Sequence, residues 1–148
     1  LGYADGERSE GASYLEIAEW IQRHCMNVEE NLTELFRRIV FNIAVSNCDD
    51  HLRNHGFIYY PKGWTLSPAY DLPPDPAGYG LQLNISETDN ALDYDLALSI
   101  TPYLGIKKDN ALEIVKQIKS VVAEWRKVAK RYGISNSEQD LVENAFRY

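Results

Sequence analysis

Residues 47–54 and residues 67–72 contain three side chains whose types and spacing suit one reaction. Asp49 is followed five positions later by Asn54, and Asp71 comes shortly downstream. Phosphoryl transfer requires a carboxylate near the attacking hydroxyl, together with an amide and a second carboxylate that bind Mg²⁺ at the nucleotide phosphates. The pattern therefore predicts half of a kinase active site.

Composition limits the other functions that this chain could have. Its 148 residues, 45% of them hydrophobic, are enough for one domain with a core. The formal net charge of −7 opposes binding to nucleic-acid phosphates or to anionic membranes, so we expect neither as a partner. No signal peptide and no apolar run long enough to span a bilayer is present. Because the chain begins without Met, we expect it to be part of a longer protein.

The two cysteines, Cys25 and Cys48, show no paired spacing and lie in apolar helical patterns. We therefore predict that both are reduced and buried, as is typical of a cytoplasmic protein.

Apolar periodicity predicts a mainly α-helical fold with one small β-hairpin. A first helix is expected at residues 12–25. A second, central helix is expected to begin at Val28, with Asn27 as its N-cap and Glu30 three residues further on. This helix leads directly into the polar segment that contains Asp49.

Downstream, residues 56–60 and 64–66 are predicted to form the hairpin, joined by a turn at 61–63. The proline-rich segment 68–76 is expected to be irregular, whereas alternation at residues 81–85 favours a short strand. Three further helices are expected at residues 93–104, at 110–132 before Gly133, and from Ser137 to the C-terminus. In the long helix, the predicted buried stripe consists of Leu112, Val115, Ile118, Val122, Trp125 and Ala129.

The order Asp-x-His-x-Arg-Asn, hairpin, Ser-Pro-Ala-Tyr-Asp-Leu resembles the C-terminal lobe of the HipA-like serine/threonine kinases. These proteins are toxins of bacterial toxin–antitoxin pairs with a eukaryotic-kinase-like architecture. The resemblance implies that residues 1–148 are a helical C-lobe fragment without the N-terminal lobe that cradles the nucleotide. For the full-length protein it also implies a protein substrate and a DNA-binding antitoxin partner.

The resemblance also implies roles for individual residues. Asp49 would be the catalytic base that accepts the substrate hydroxyl proton, and His51 would orient Asp49 or contact the transferred phosphate. Asn54 and Asp71 would bind Mg²⁺ and, through it, the phosphates of the co-substrate ATP.

Each of these residues also has a purely structural interpretation. Asp49 could cap the following turn, Asn54 could be a left-handed turn residue, and Asp71 could be only a loop former. His51 could be a structural hydrogen-bonding partner. Asp50 is predicted to be solvated or weakly structural. No role is predicted for His55.

Two other functions stay open at this point. One is a metal-dependent hydrolase whose ligands come from Asp49, Asp50, His51, His55 and Asp71. The other is a helical interaction module in which Trp20, Trp125 and several tyrosines form a docking surface.

The parts of a kinase that hold the α- and β-phosphates are not recognisable in this sequence. No lysine precedes Asp49, since the first is Lys62, and no glycine-rich phosphate loop is present. We therefore expect the isolated chain to be inactive in phosphoryl transfer.

Overall fold

The computed structural model describes residues 11–148, and the first ten residues lie outside the described part. Within these described residues the fold is mainly helical with a single two-stranded antiparallel hairpin, which confirms the predicted fold class at this level. No helix within residues 11–148 is long and apolar enough to cross a membrane.

The regular elements, in chain order, are α1 (Tyr14–His24), α2 (Val28–Val45), β1 (Phe57–Tyr60), β2 (Gly63–Leu66), α3 (Tyr94–Ser99), α4 (Lys108–Val122), α5 (Trp125–Arg131) and α6 (Asn136–Val142). Two short 3₁₀ turns, Leu52–Asn54 and Glu143–Ala145, complete the elements of residues 11–148.

Helix α2 is the centre of the core, as its apolar periodicity predicts, and it contacts α1, α3 and α4. Its fully buried side chains include Leu35, Phe36, Ile39, Val40 and Ile43.

Asn27 is the N-cap residue of α2, as predicted, but it does not cap the helix through its side chain. Asn27 lies in the left-handed conformation with φ 50°, and its side chain makes no capping hydrogen bond. The amide of Asn31 stabilises the start of the helix instead, because its Nδ2 donates to the carbonyls of Met26 and Asn27.

The C-terminal end of α2 is held by the last residues of the described chain. Helix ends leave backbone carbonyls without partners. The Arg147 N–H donates to the Ala44 carbonyl at 2.8 Å, and Ser46 Oγ donates to the Ala145 carbonyl at 2.8 Å. Arg147 Nε in turn donates to Ser46 Oγ. The backbone at the end of α2, which leads into the polar loop, is therefore held by hydrogen bonds to the C-terminal residues Ala145 and Arg147.

The hairpin forms as predicted, with Tyr60 paired with Gly63 and Phe57 with Leu66. The loop between the strands is a two-residue turn, since Gly63, which has φ 132°, is already the first residue of β2.

The predicted strand at residues 81–85 does not form. Leu81, Leu83 and Ile85 are buried, so the alternation marks one buried face. Asn84 bonds through its backbone to residues 12 and 14, and the Leu81 N–H donates to the Asn90 carbonyl, but no continuous strand pairing forms here among the described residues. Alternating burial without a partner strand therefore produced a strand-like pattern.

Helix α3 ends earlier than predicted, at Ser99 rather than near Leu104. Pro102 explains the difference: it has no N–H to donate, and it disfavours helical backbone at Thr101. Residues 100–104 continue as turns, and Ile100 and Leu104 still reach the core.

The single long helix predicted at residues 110–132 is two helices. The break between α4 and α5 allows α4 to pack on α2 while α5 packs against α6. Trp125, at the start of α5, stacks on Phe146 with ring centroids 4.0 Å apart. The last helix, α6, begins near the predicted position and has a capping box formed by Ser135 and Glu138.

Both cysteines are free, but they are half-buried rather than fully buried as predicted. Partial burial raises the pKa of both thiols. A Cβ added to Gly78 would lie 2.3 Å from Cys48 Sγ, so the irregular segment after Asp71 packs directly against the polar loop.

The buried face of α4 gives a stability prediction. Leu112, placed in the predicted stripe, is 43% exposed, whereas Ile114 is 5% exposed. Ile114→Ala should lower the free energy of unfolding by about 2–5 kcal/mol, because it leaves a cavity in the core. Leu112→Ala is the matched control and should change it by no more than about 0.5 kcal/mol. Urea denaturation measures both, and equal losses would contradict the assigned face.

Candidate active site

The polar loop begins where α2 ends and runs through the 3₁₀ turn Leu52–Asn54 into β1. Asp49 is exposed in this loop. Within residues 11–148 its carboxylate makes no hydrogen bond and no ion pair. The structure thus presents a carboxylate to solvent at the beginning of the loop, and this carboxylate does not cap the following turn.

The hairpin brings the segment that contains Asp71 back onto the loop. The Ser67 N–H donates to the Gly56 carbonyl at 2.8 Å, and the Tyr70 hydroxyl donates to the Arg53 carbonyl at 2.6 Å. The buried guanidinium of Arg38, on α2, donates to the Ser67 carbonyl. These contacts attach the returning segment both to the loop and to the central helix.

Asn54 and Asp71 come together as a result. Asn54 Nδ2 and Asp71 Oδ2 are 3.5 Å apart, at the long limit of a hydrogen bond. Asn54 is buried and lies in the 3₁₀ turn, so it is not a left-handed turn residue. Asp71 is exposed and has φ 57°. An amide and a carboxylate at this separation are hard oxygen ligands of the kind that Mg²⁺ prefers.

His51 is half-buried between Asp49 and Asn54. Its Nδ1 is buried and has no hydrogen-bond partner among residues 11–148. Among the described residues, no hydrogen bond links its ring to Asp49. Orientation of Asp49 by His51 is therefore not seen in the described structure.

The prediction that Asp50 is solvated or weakly structural is wrong, because its carboxylate is buried and accepts three hydrogen bonds. Asp50 Oδ2 accepts hydrogen bonds from the Tyr14 hydroxyl at 2.6 Å, from Asn42 Nδ2 at 2.7 Å and from His55 Nε2 at 3.0 Å. Burial raises the pKa of Tyr14 well above its ordinary value, and the charge of Asp50 and their hydrogen bond raise it further. Tyr14 therefore stays protonated and continues to donate.

Sequence reasoning missed this buried network, although one signal of it was present. Asn42 interrupts the apolar face of α2, and it is completely buried there. A buried amide needs partners. Its Oδ1 accepts from Asn47 Nδ2, and its Nδ2 donates to Asp50.

Comparison with known proteins identifies the family. The sequence profile of the HipA-like C-terminal domain matches residues 1–125. The chain belongs to this HipA-like family. A protein from Haemophilus influenzae named "Putative kinase" is 38% identical over 74 residues, which cover 47% of this chain and 21% of that protein. The match thus spans about a fifth of the length of this relative.

The geometry of this HipA-like domain bears on the hydrolase alternative. Within residues 11–148, no group of three or more His, Cys, Asp and Glu side chains is placed to hold a metal ion. Asp50 and His55 are buried and bonded to each other, while Asp49 is exposed. The five residues of the hydrolase hypothesis therefore do not converge.

The tryptophans of the interaction-module alternative lie in two different places. Trp20 contacts Phe57, Trp64 and His24 in a partly exposed aromatic cluster. Trp125 is largely buried in the wall of an apolar groove of about 460 Å³, which α2, α4, α5 and α6 line together with Leu72 and Pro74. The groove is therefore adjacent to the segment that contains Asp71.

The left-handed backbone of Asp71 predicts that two substitutions differ in their effect on stability. The comparison separates the effect of backbone strain from the effect of losing the carboxylate. Asn tolerates this conformation, so Asp71→Asn should change the free energy of unfolding by less than about 0.5 kcal/mol. A β-branched residue does not tolerate it, so Asp71→Val should cost about 1–2 kcal/mol. Chemical denaturation of both variants tests this. A loss in Asp71→Asn as large as that in Asp71→Val would show that the carboxylate itself stabilises the fold.

Proposed function

We propose that this domain provides the catalytic loop and the metal ligands of a HipA-like protein serine/threonine kinase. The proposed reaction transfers the ATP γ-phosphate to a serine or threonine hydroxyl of a protein. The observation that supports it best is the meeting of Asn54 and Asp71, which come from different segments. The exposed Asp49 begins the same loop that places Asn54.

In this proposal Asp49 is the catalytic base. It has no competing hydrogen bond within the described residues, so its carboxylate is available to accept the proton of an incoming hydroxyl. General bases act through such positioned acceptors. His51, two residues further along the same loop, is assigned a contact with the transferred phosphate.

Asn54 and Asp71 would hold Mg²⁺. Two protein oxygens fit this ion because it retains several water molecules and completes its coordination with substrate phosphates. When bound, Mg²⁺ neutralises charge on the phosphates. Asn54 would present its amide oxygen, which a rotation of the amide brings to the position now occupied by Nδ2.

The remaining parts of the nucleotide site are assigned to other segments of a longer protein. A lysine for the α- and β-phosphates and a phosphate-cradling loop are needed, and no lysine precedes Asp49 in this sequence. That the curated relative is much longer than the matched segment is in keeping with this proposal. A toxin–antitoxin role in the cytoplasm, with a DNA-binding antitoxin as partner, belongs to the same proposal.

Calorimetric titration tests the metal site in this chain. We expect ATP to bind weakly in the presence of Mg²⁺, and we expect this binding to disappear without Mg²⁺ and in Asp71→Asn. Asp109→Asn, which removes the same charge from an exposed position in α4, is the control and should bind like the wild type. Binding that is indifferent to Mg²⁺, or equal in the two variants, would contradict the assigned ligands. It would favour the interaction-module alternative, in which Asp71 affects only stability.

Phosphoryl transfer provides a second test. We expect none above background from the 148-residue chain, since each lost donor to the transition state costs about 3–4 kcal/mol. The full-length protein should phosphorylate a protein hydroxyl and should lose this activity in Asp49→Asn, as measured with radiolabelled ATP. Transfer by the short chain that Asp49→Asn abolishes would show that the missing groups are not required.

A further inference from the structure

Two residue pairs with the same spacing lie side by side in the polar loop. Asp49 and Asn54 are five positions apart, and so are their immediate neighbours Asp50 and His55. The second pair faces the interior: Asp50 is 1% exposed and His55 is 7% exposed. A buried hydrogen bond between His55 Nε2 and Asp50 Oδ2, 3.0 Å long, links the two ends of the loop.

The inner pair is tied to two helices of the core. The same oxygen of Asp50 accepts from Tyr14 on α1 and from Asn42 on α2. The Tyr14 ring also meets the His55 ring edge-on, with centroids 5.8 Å apart. The positions of Asp50 and His55 are therefore set by the core and not by the exposed part of the loop.

The hydrogen bonding also defines the tautomer of His55. Its Nδ1 is buried and has no partner in the described structure. A buried N–H without an acceptor is costly, whereas an unprotonated ring nitrogen is tolerated more easily. The proton therefore lies on Nε2, and His55 donates it to Asp50.

We propose that the Asp50–His55 hydrogen bond is a positioning element that sets the separation between Asp49 and Asn54. Each residue of the inner pair is one planar peptide unit from a residue of the outer pair, so fixing Asp50 and His55 leaves the outer pair little freedom. The functional importance of this separation rests on the proposed function, in which Asp49 is the base and Asn54 a metal ligand. The hydrogen bond itself does not depend on that function.

Two substitutions of His55 separate positioning from packing. His55→Leu removes the donor, whereas His55→Gln retains an N–H₂ group that can reach Asp50. The probe is Mn²⁺ in the presence of ATP, followed by water-proton relaxation on the 148-residue chain. We expect His55→Leu to weaken Mn²⁺ binding by about tenfold or more, as loss of an outer-shell partner does. His55→Gln should restore binding to within about threefold of wild type.

A stability control is needed because His55→Leu also changes a buried side chain. Ile114→Val, in α4, should lower stability without changing Mn²⁺ affinity at temperatures well below unfolding. Equal Mn²⁺ affinity in wild type, His55→Leu and His55→Gln would overturn the positioning role.

Amide hydrogen exchange tests the hydrogen bond independently of any metal or nucleotide. The N–H groups of Asn54 and His55 donate to the carbonyls of His51 and Leu52 within the loop. In His55→Leu these amides should exchange roughly two- to tenfold faster than in wild type, with recovery in His55→Gln. If wild type binds no Mn²⁺ at the Asp71 site, the proposed function fails and exchange alone decides the proposal. Unchanged exchange at Asn54 in His55→Leu would overturn it.

Discussion

One buried carboxylate oxygen joins the core of this domain to its polar loop. Asp50 Oδ2 receives three hydrogen bonds, from α1, from α2 and from the far end of the loop itself. A buried carboxylate without partners would be strongly destabilising, and replacement of any donor would leave part of its charge uncompensated. The observed loop conformation gives this carboxylate oxygen all three donors. In that conformation Asp49 faces solvent while Asn54 meets Asp71.

The rest of the site is built around this constraint by short-range contacts. The C-terminal residues hold the end of α2 through Ser46 and Arg147, so the loop starts from a defined position. Tyr70 then holds the segment that contains Asp71 through the Arg53 carbonyl. The site thus depends on contacts between segments that are distant in sequence.

Much of the fold could be predicted from the sequence because apolar periodicity reports burial directly. The buried faces of α1 and α2 and the hairpin follow from it. Periodicity fails where a buried pattern does not correspond to the expected helix or strand. Residues 81–85 alternate in burial but have no partner strand in the described structure, and Pro102 ends α3 inside an apolar pattern. The break between α4 and α5 depends on packing against other helices, which a single sequence does not show.

Of the candidate site, only the residues with proposed chemical roles could be predicted from the sequence, and the buried network beneath them could not. Spacing and residue type indicate Asp49, Asn54 and Asp71, because their proposed chemistry requires those types at that spacing. The role of Asp50 could not be predicted in this way. Aspartate is usually exposed, and the donors that make its burial favourable lie up to 36 positions away in the sequence.

The most direct test of the account is a crystal structure of this chain with Mn²⁺ and an ATP analogue, with the metal located by its anomalous scattering. We expect one anomalous peak at about 2.0–2.4 Å from side-chain oxygens of both Asn54 and Asp71, with Asp49 nearby but not coordinated. A metal bound elsewhere, or coordinated by Asp49 and His51 without Asn54, would contradict the proposed kinase half-site.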